Sequence, residues 1–174
     1  AAGMDLADPL TVVPLLQSIM ESTSRPRKAG PIVGGQLLAG DARPVSSPAD
    51  QSLTLGEVAA AGPRAIADAL TRADSAQAGW DRAGGDVRAT CLECAAELLE
   101  QHCTELMGLI VTEAGRTVDD ALSEVREAVD FCRYYAQQGR QLFSTPTNLP
   151  GPTGEVNELS LHGRGVFLCI SPWN

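Results

Sequence analysis

Apolar residues at Leu10, Val13, Leu16, Ile19 and Met20 recur every three to four positions, the spacing of one face of an amphipathic helix over residues 8–22. Asp8 supplies an N-cap, and Pro9 a first helical residue whose missing N–H had no partner to lose. The polar, basic, proline-bearing stretch from Ser22 to Gly30 predicts an exposed linker and a boundary. From Pro31 to Val58 the apolar pieces shorten to Ile32-Val33, Leu37-Leu38, Val45, Leu53-Thr54-Leu55 and Val58, divided by Gly34-Gly35, Gly40-Asp41 and Ser47-Pro48. Short strands and turns fit that pattern.

Helical spacing returns at Pro63 and runs, rich in alanine, to Trp80, which is expected to pack where that helix ends. A second helix of this group covers Asp86 to His102. A third starts at Thr104 and stops at Gly115, a residue suited to the positive φ of a helix C-terminus. The longest starts at Thr117, with Asp120 close to a capping box, and runs to Phe143. Three prolines and two glycines between Ser144 and Gly154 end it. Val156 to Leu161 alternates like a strand, and Val166-Phe-Leu-Cys-Ile170 is continuously apolar, as in a parallel strand buried on both faces. Such a strand needs neighbours, so further β-α units are expected after Asn174.

The 174 residues suit one domain of roughly 100–200. With 13 basic and 22 acidic residues the net charge is −9, and Arg25, Arg27 and Lys28 beside Pro26 form the only basic cluster, so nucleic acid is not an expected partner. No apolar run approaches the ~20 residues of a spanning helix, and no targeting segment is read. Five cysteines, an odd number at low density, suggest a reducing cytoplasm. Seven aromatic residues imply a mostly aliphatic core on helices.

Cys91-Leu-Glu-Cys94 has redox spacing, yet it lies in a Leu/Ala helical pattern without a second ligand pair, so buried helix residues are expected and no metal site. His102 and His162 are isolated. Glu124, Glu127 and Asp130, interspersed with Arg126 and Arg133, read first as a solvated face with local ion pairs, and second as carboxylates facing a ligand channel. Phe131, Tyr134 and Tyr135 read as core packing. Gly163-Arg-Gly165 precedes an apolar strand and not a helix, the wrong order for a nucleotide loop. Ser171-Pro-Trp-Asn174 stands at the carboxyl end of the apolar run, where open α/β sheets bind ligands, and an Asn there can donate its NH₂ to an oxyanion.

Gly163-Arg-Gly-Val-Phe-Leu-Cys-Ile-Ser-Pro-Trp-Asn174 resembles the first strand of the cofactor-binding domain in the aldehyde dehydrogenase superfamily. Glu113-Ala-Gly-Arg-Thr117 and Arg43-Pro-Val-Ser-Ser-Pro-Ala-Asp50 resemble further segments of it, with Ala114 and Thr117 replacing commoner residues. Glu127-Ala-Val-Asp-Phe-Cys-Arg-Tyr-Tyr-Ala136 and the Leu149–Glu155 loop look like the glutamate-semialdehyde dehydrogenase half of bifunctional proline utilization A enzymes.

That resemblance implies an α/β fold, cut after the first strand of its cofactor-binding sheet, with residues 1–30 connecting from an upstream proline dehydrogenase half and 31–174 opening the dehydrogenase. It implies oxidation of L-glutamate γ-semialdehyde to L-glutamate with NAD, FAD in the upstream half only, and a homo-oligomer at full length. Asn174 is then an oxyanion donor, Ser171, Pro172 and Trp173 form part of the cofactor wall, and Glu127 and Phe131 face the semialdehyde. The nucleophilic cysteine and the glutamate base would lie later in the chain, so Cys169 is not the nucleophile and the chain alone is inactive. The rival reading is an acidic helical module that binds a protein partner without catalysis. A folded chain with no exposed hydrophobic surface would favour that rival.

Overall fold

The computed structural model describes residues 1–171. Helix α1 (Pro9–Thr23) starts as its sequence dictates: Asp8 is extended and its carboxylate accepts from the Leu10 N–H at 3.0 Å. Five short strands follow: β1 (Arg27–Ala29), β2 (Ile32–Val33), β3 (Gln36–Leu37), β4 (Ala42–Ser46) and β5 (Thr54–Ala59). β2 and β3 form a hairpin with Ile32 opposite Leu37. The three-stranded sheet has the order β1-β5-β4, with β1 parallel to β5 (Arg27 opposite Gly56) and β4 antiparallel to it. The loop expected over 22–30 is therefore partly strand: β5 offers an unpaired edge, and residues 27–29 take it.

Four helices build the rest: α2 (Pro63–Arg82), α3 (Gly84–Gln101), α4 (Cys103–Ala114) and α5 (Val118–Phe143). α4 stops at Gly115, whose φ of 69° lies in the left-handed region that glycine enters without steric cost. Thr117 then caps α5, its Oγ1 accepting from the Asp120 N–H at 3.1 Å. Past the helices, β6 (Thr147–Leu149) and β7 (Asn157–Leu159) pair antiparallel.

The core sits where α1, α4 and α5 meet. Leu15 and Ile19 from α1 close on Met107 of α4 and on Ala121, Leu122 and Val125 of α5. Gly108 permits that approach, since a Cβ there would stand 2.7 Å from Ser22 Oγ. α3 and α5 pack along a second seam of small residues, Ala89, Ala96, Val129 and Ala136, all buried. Its register is fixed by Arg140 on Glu93 (2.7 Å) and Arg133 on Glu100 (3.2 Å). These pairs are exposed enough to contribute modestly. Met107 is wholly buried, so Met107→Ala should lower stability by about 2–5 kcal/mol, read as a lower thermal midpoint. A change below ~0.5 kcal/mol would show that α1 does not pack there.

Three expectations fail against the fold. Val166–Ile170 forms no strand: among the described residues no strand pairs with it, and its apolar side chains face solvent, Leu168 at 84% and Ile170 at 77% exposure. Trp80 is half-exposed on α2 instead of packed, because α2 buries no residue fully. Cys91 and Cys94 are exposed, not buried, because α3 turns Ala89 and Ala96 toward α5 and carries the two thiols elsewhere. The whole chain exposes 12491 Å², against about 8,100 Å² for a compact monomer of its mass.

Candidate functional site

The inward face of α5 is committed to the core through Ala121, Leu122, Val125, Val129 and Ala136. Another face, built at spacings of three and four from Ser123, Arg126, Glu127, Asp130, Phe131 and Tyr134, lines a groove of about 550 Å³. Glu127 and Phe131 thus share one groove, one helical turn apart. The aromatic cluster is not core: Phe131 is 50% exposed, because α5 meets α3 and α4 through its small and aliphatic residues. Phe131 stacks on Tyr135 at 6.0 Å between centroids, and Tyr134 meets Tyr135 edge-on at 5.1 Å.

The polar rim of the groove is divided. Asp130 lines it beside Arg126. Arg126 Nε is shut off from solvent with no hydrogen-bond acceptor. Glu124, by contrast, pairs with Arg116 at 3.3 Å, so the ion-pair reading holds for it. A carboxylate and a guanidinium beside aromatic walls can receive a small zwitterion with an aliphatic body. Asp130 and Tyr134, three and seven positions after Glu127, carried a spacing signal; Arg126, its neighbour in sequence, did not. Ser123 went unnoticed because a lone serine on a helix has no signature.

Other candidates lie elsewhere. Ser171 is exposed at the end of the unpaired apolar segment; Pro172, Trp173 and Asn174 fall outside the described residues. One exposed seryl residue does not by itself make a dinucleotide pocket. Among the described residues no three metal-ligating side chains gather. His102 pairs with Glu105 at 2.9 Å, and burial pushes the Cys103 thiol up, with Glu100 adding to the effect.

The segment after β7 is tied down by Asp81. Its Oδ1 accepts from the Gly163 N–H at 2.6 Å, and His162 Nδ1 stands 3.5 Å from Oδ2. The Gly163 bond, then His162 and Arg88, holds the Asp81 carboxyl below its ordinary value. A depressed carboxyl stabilises above its unfolded pKa of about 3.9, and loses that contribution as pH falls through the lower folded value. Asp81→Asn should therefore speed amide exchange at Gly163 at pH 7, whereas the unaltered tie should hold at pH 5 and release only in acid below about 4. Equal exchange in both proteins at pH 7 would dismiss the tie.

With this geometry in place, comparison with known proteins is decisive. The profile of the aldehyde dehydrogenase family matches residues 38–174. The chain belongs to the aldehyde dehydrogenase family. It is 36% identical, over its whole length, to bifunctional protein PutA of Escherichia coli (strain K12), and spans 12% of that protein. It is 33% identical to 1-pyrroline-5-carboxylate dehydrogenase of Geobacillus sp. (strain WCH70), with 82% of this chain and 28% of that protein aligned. A crystal structure of bifunctional proline utilization A superposes with a TM-score of 0.71 at 36% identity, covering 95% of this chain and 14% of that one. The fold of a Thermus 1-pyrroline-5-carboxylate dehydrogenase, solved with bound NAD, gives a TM-score of 0.73 over 87% of this chain and 31% of that one. The mixed helix-and-strand architecture is accordingly the N-terminal part of an aldehyde dehydrogenase fold.

Proposed function

We propose that this aldehyde dehydrogenase segment belongs to an enzyme that oxidises L-glutamate γ-semialdehyde to L-glutamate within a bifunctional, cytoplasmic, homo-oligomeric protein of proline catabolism. Residues 1–30 then connect from an upstream proline dehydrogenase half, which alone holds FAD, and 31–174 open the dehydrogenase. The observation that carries this reading is the α5 groove, where Glu127 and Phe131 come together in a chain similar throughout to bifunctional PutA.

In that enzyme the Glu127 carboxylate receives the substrate ammonium, while the Phe131 and Tyr134 rings cover its methylenes and exclude water. The Asn174 side chain donates an N–H to the aldehyde oxygen as charge develops there. Ser171, Pro172 and Trp173 would form part of the wall that holds NAD, which would supply hydride acceptance. The thiol that adds to the aldehyde and the glutamate that activates water belong to chain following residue 174. The rival reading as a self-contained interaction module predicts no exposed hydrophobic surface; Phe167, Leu168 and Ile170 are largely exposed.

In the complete enzyme, Glu127→Ala and Phe131→Ala should each lower kcat/KM for the semialdehyde about ten-fold, a loss of ~1.4 kcal/mol in transition-state binding. Both side chains are exposed, so thermal midpoints should barely move. Lower midpoints with unchanged kinetics per folded molecule would reduce both residues to structural roles.

A further inference from the structure

The two exposed thiols of α3 share a face. At about 100° per residue Cys91 and Cys94 lie roughly 60° apart around the helix axis, and together they stand about 180° from Ala89 and Ala96, the buried side that meets α5. Val87 and Leu98, both half-exposed, flank the pair one turn to either side. Glu93, between the two thiols in sequence, accepts from Arg140 of α5 at 2.7 Å and so fixes this turn of α3. Both sulfurs are thus carried in the open on one held turn.

That spacing separates the two reactions open to a thiol pair. Cβ atoms three residues apart on a helix stand about 5–6 Å from each other, whereas a disulfide needs about 3.5–4.5 Å. A direct S–S bond would have to unwind the turn that Glu93 holds, while one ion set between the sulfurs spans the gap with the helix intact. Among the described residues no three metal-ligating side chains gather, so the pair has no third ligand. This argues against zinc, whose structural sites take four ligands, and against calcium or magnesium, which take oxygen. Soft thiolates select Cu(I), and two sulfurs in line satisfy it. We propose that Cys91 and Cys94 form a two-thiolate site for one Cu(I) ion on the outer face of α3. Each thiol gives up its proton as its sulfur binds, so one Cu(I) enters, two protons leave, and the copper stays monovalent.

The test titrates the complete enzyme, anaerobically and with its thiols reduced, with Cu(I) supplied as the coloured bicinchoninate complex. The unaltered enzyme should withdraw one copper equivalent more than the Cys91→Ser/Cys94→Ser double variant. Cys91→Ser or Cys94→Ser alone should weaken that equivalent about ten-fold or more, while Cys103→Ser, whose thiol is partly buried beside Met107, should leave it unchanged. With two protons displaced from a protonated pair, affinity should rise about a hundred-fold per pH unit, measured at about pH 6 and 7; one displaced proton would give only about ten-fold. Both residues are exposed, so the serine variants should keep the thermal midpoint. NADH formation from glutamate semialdehyde reads the proposed function independently of copper uptake. Equal uptake by enzyme and double variant, a loss with Cys103→Ser as large as with Cys91→Ser, the ten-fold pH slope, or a Cys91–Cys94 disulfide formed in place of copper binding overturns the inference. So does failure of iodoacetamide to alkylate Cys91 and Cys94 in the copper-free enzyme, which would show that face covered.

Discussion

Given glutamate semialdehyde and NAD, the 174-residue chain by itself should form NADH no faster than a protein-free blank. Covalent catalysis needs an activated thiol beside the bound aldehyde, and none of the five cysteines offers one. The six residues lining the α5 groove include no cysteine. Cys103 is pushed toward its neutral form by burial and by Glu100, the opposite of activation. Cys91 and Cys94 lie exposed on α3, Cys132 is half-buried on α5 and is not among the groove residues, and Cys169 lies in the unpaired segment before Ser171. An oxyanion donor without a nucleophile has no adduct to stabilise, and enzymes commonly supply 10⁶-fold or more over the uncatalysed reaction, all of which should be absent. Spectrophotometry at 340 nm decides the point, and turnover within about a hundred-fold of a complete dehydrogenase would place the nucleophile inside this chain.

Helix ends were legible because their causes are local. Asp8 with Pro9, Pro63, Gly115 and Thr117 each act on backbone groups within four residues, and α1, α2, α4 and α5 begin or end beside them. β1 was hidden because its partner, β5, stands almost thirty positions later and contributes nothing to the reading of Arg27–Ala29. Val166–Ile170 misled for a related reason: continuous hydrophobicity reports what a segment would bury given neighbours, not that neighbours stand beside it. The Phe131 cluster misled differently. α5 bears apolar residues on more than one face, and periodicity does not say which of them meets α3 and α4. Glu127 and Phe131 were placed by resemblance, and only the folded helix puts them in one groove.

Asn174→Ala in the complete dehydrogenase should lower kcat by about 10²–10³, equivalent to ~3–4 kcal/mol, while cofactor affinity stays largely unchanged. The physical basis is differential: the carbonyl oxygen of the free aldehyde is weakly basic, and the oxygen of the tetrahedral adduct carries nearly a full negative charge. An N–H aimed at it therefore strengthens as the thiol adds, and its loss raises the barrier more than it weakens substrate binding. Steady-state kinetics and a cofactor titration separate the two effects. A kcat within a factor of about two, under ~0.5 kcal/mol, would strike Asn174 from the catalytic residues.

The inner face of α1 has a consequence on the ribosome. Ile19 must wait for Met107, about 90 residues later, and at roughly 5–20 residues per second that delay is on the order of 4–18 s. β1 waits a few seconds for β5 in the same way. During synthesis the inner face of α1 is bare, so the nascent chain presents an apolar helix well before its docking sites on α4 and α5 emerge. That interval is when a chaperone would hold this segment, and slowing translation between β5 and α4 would lengthen it.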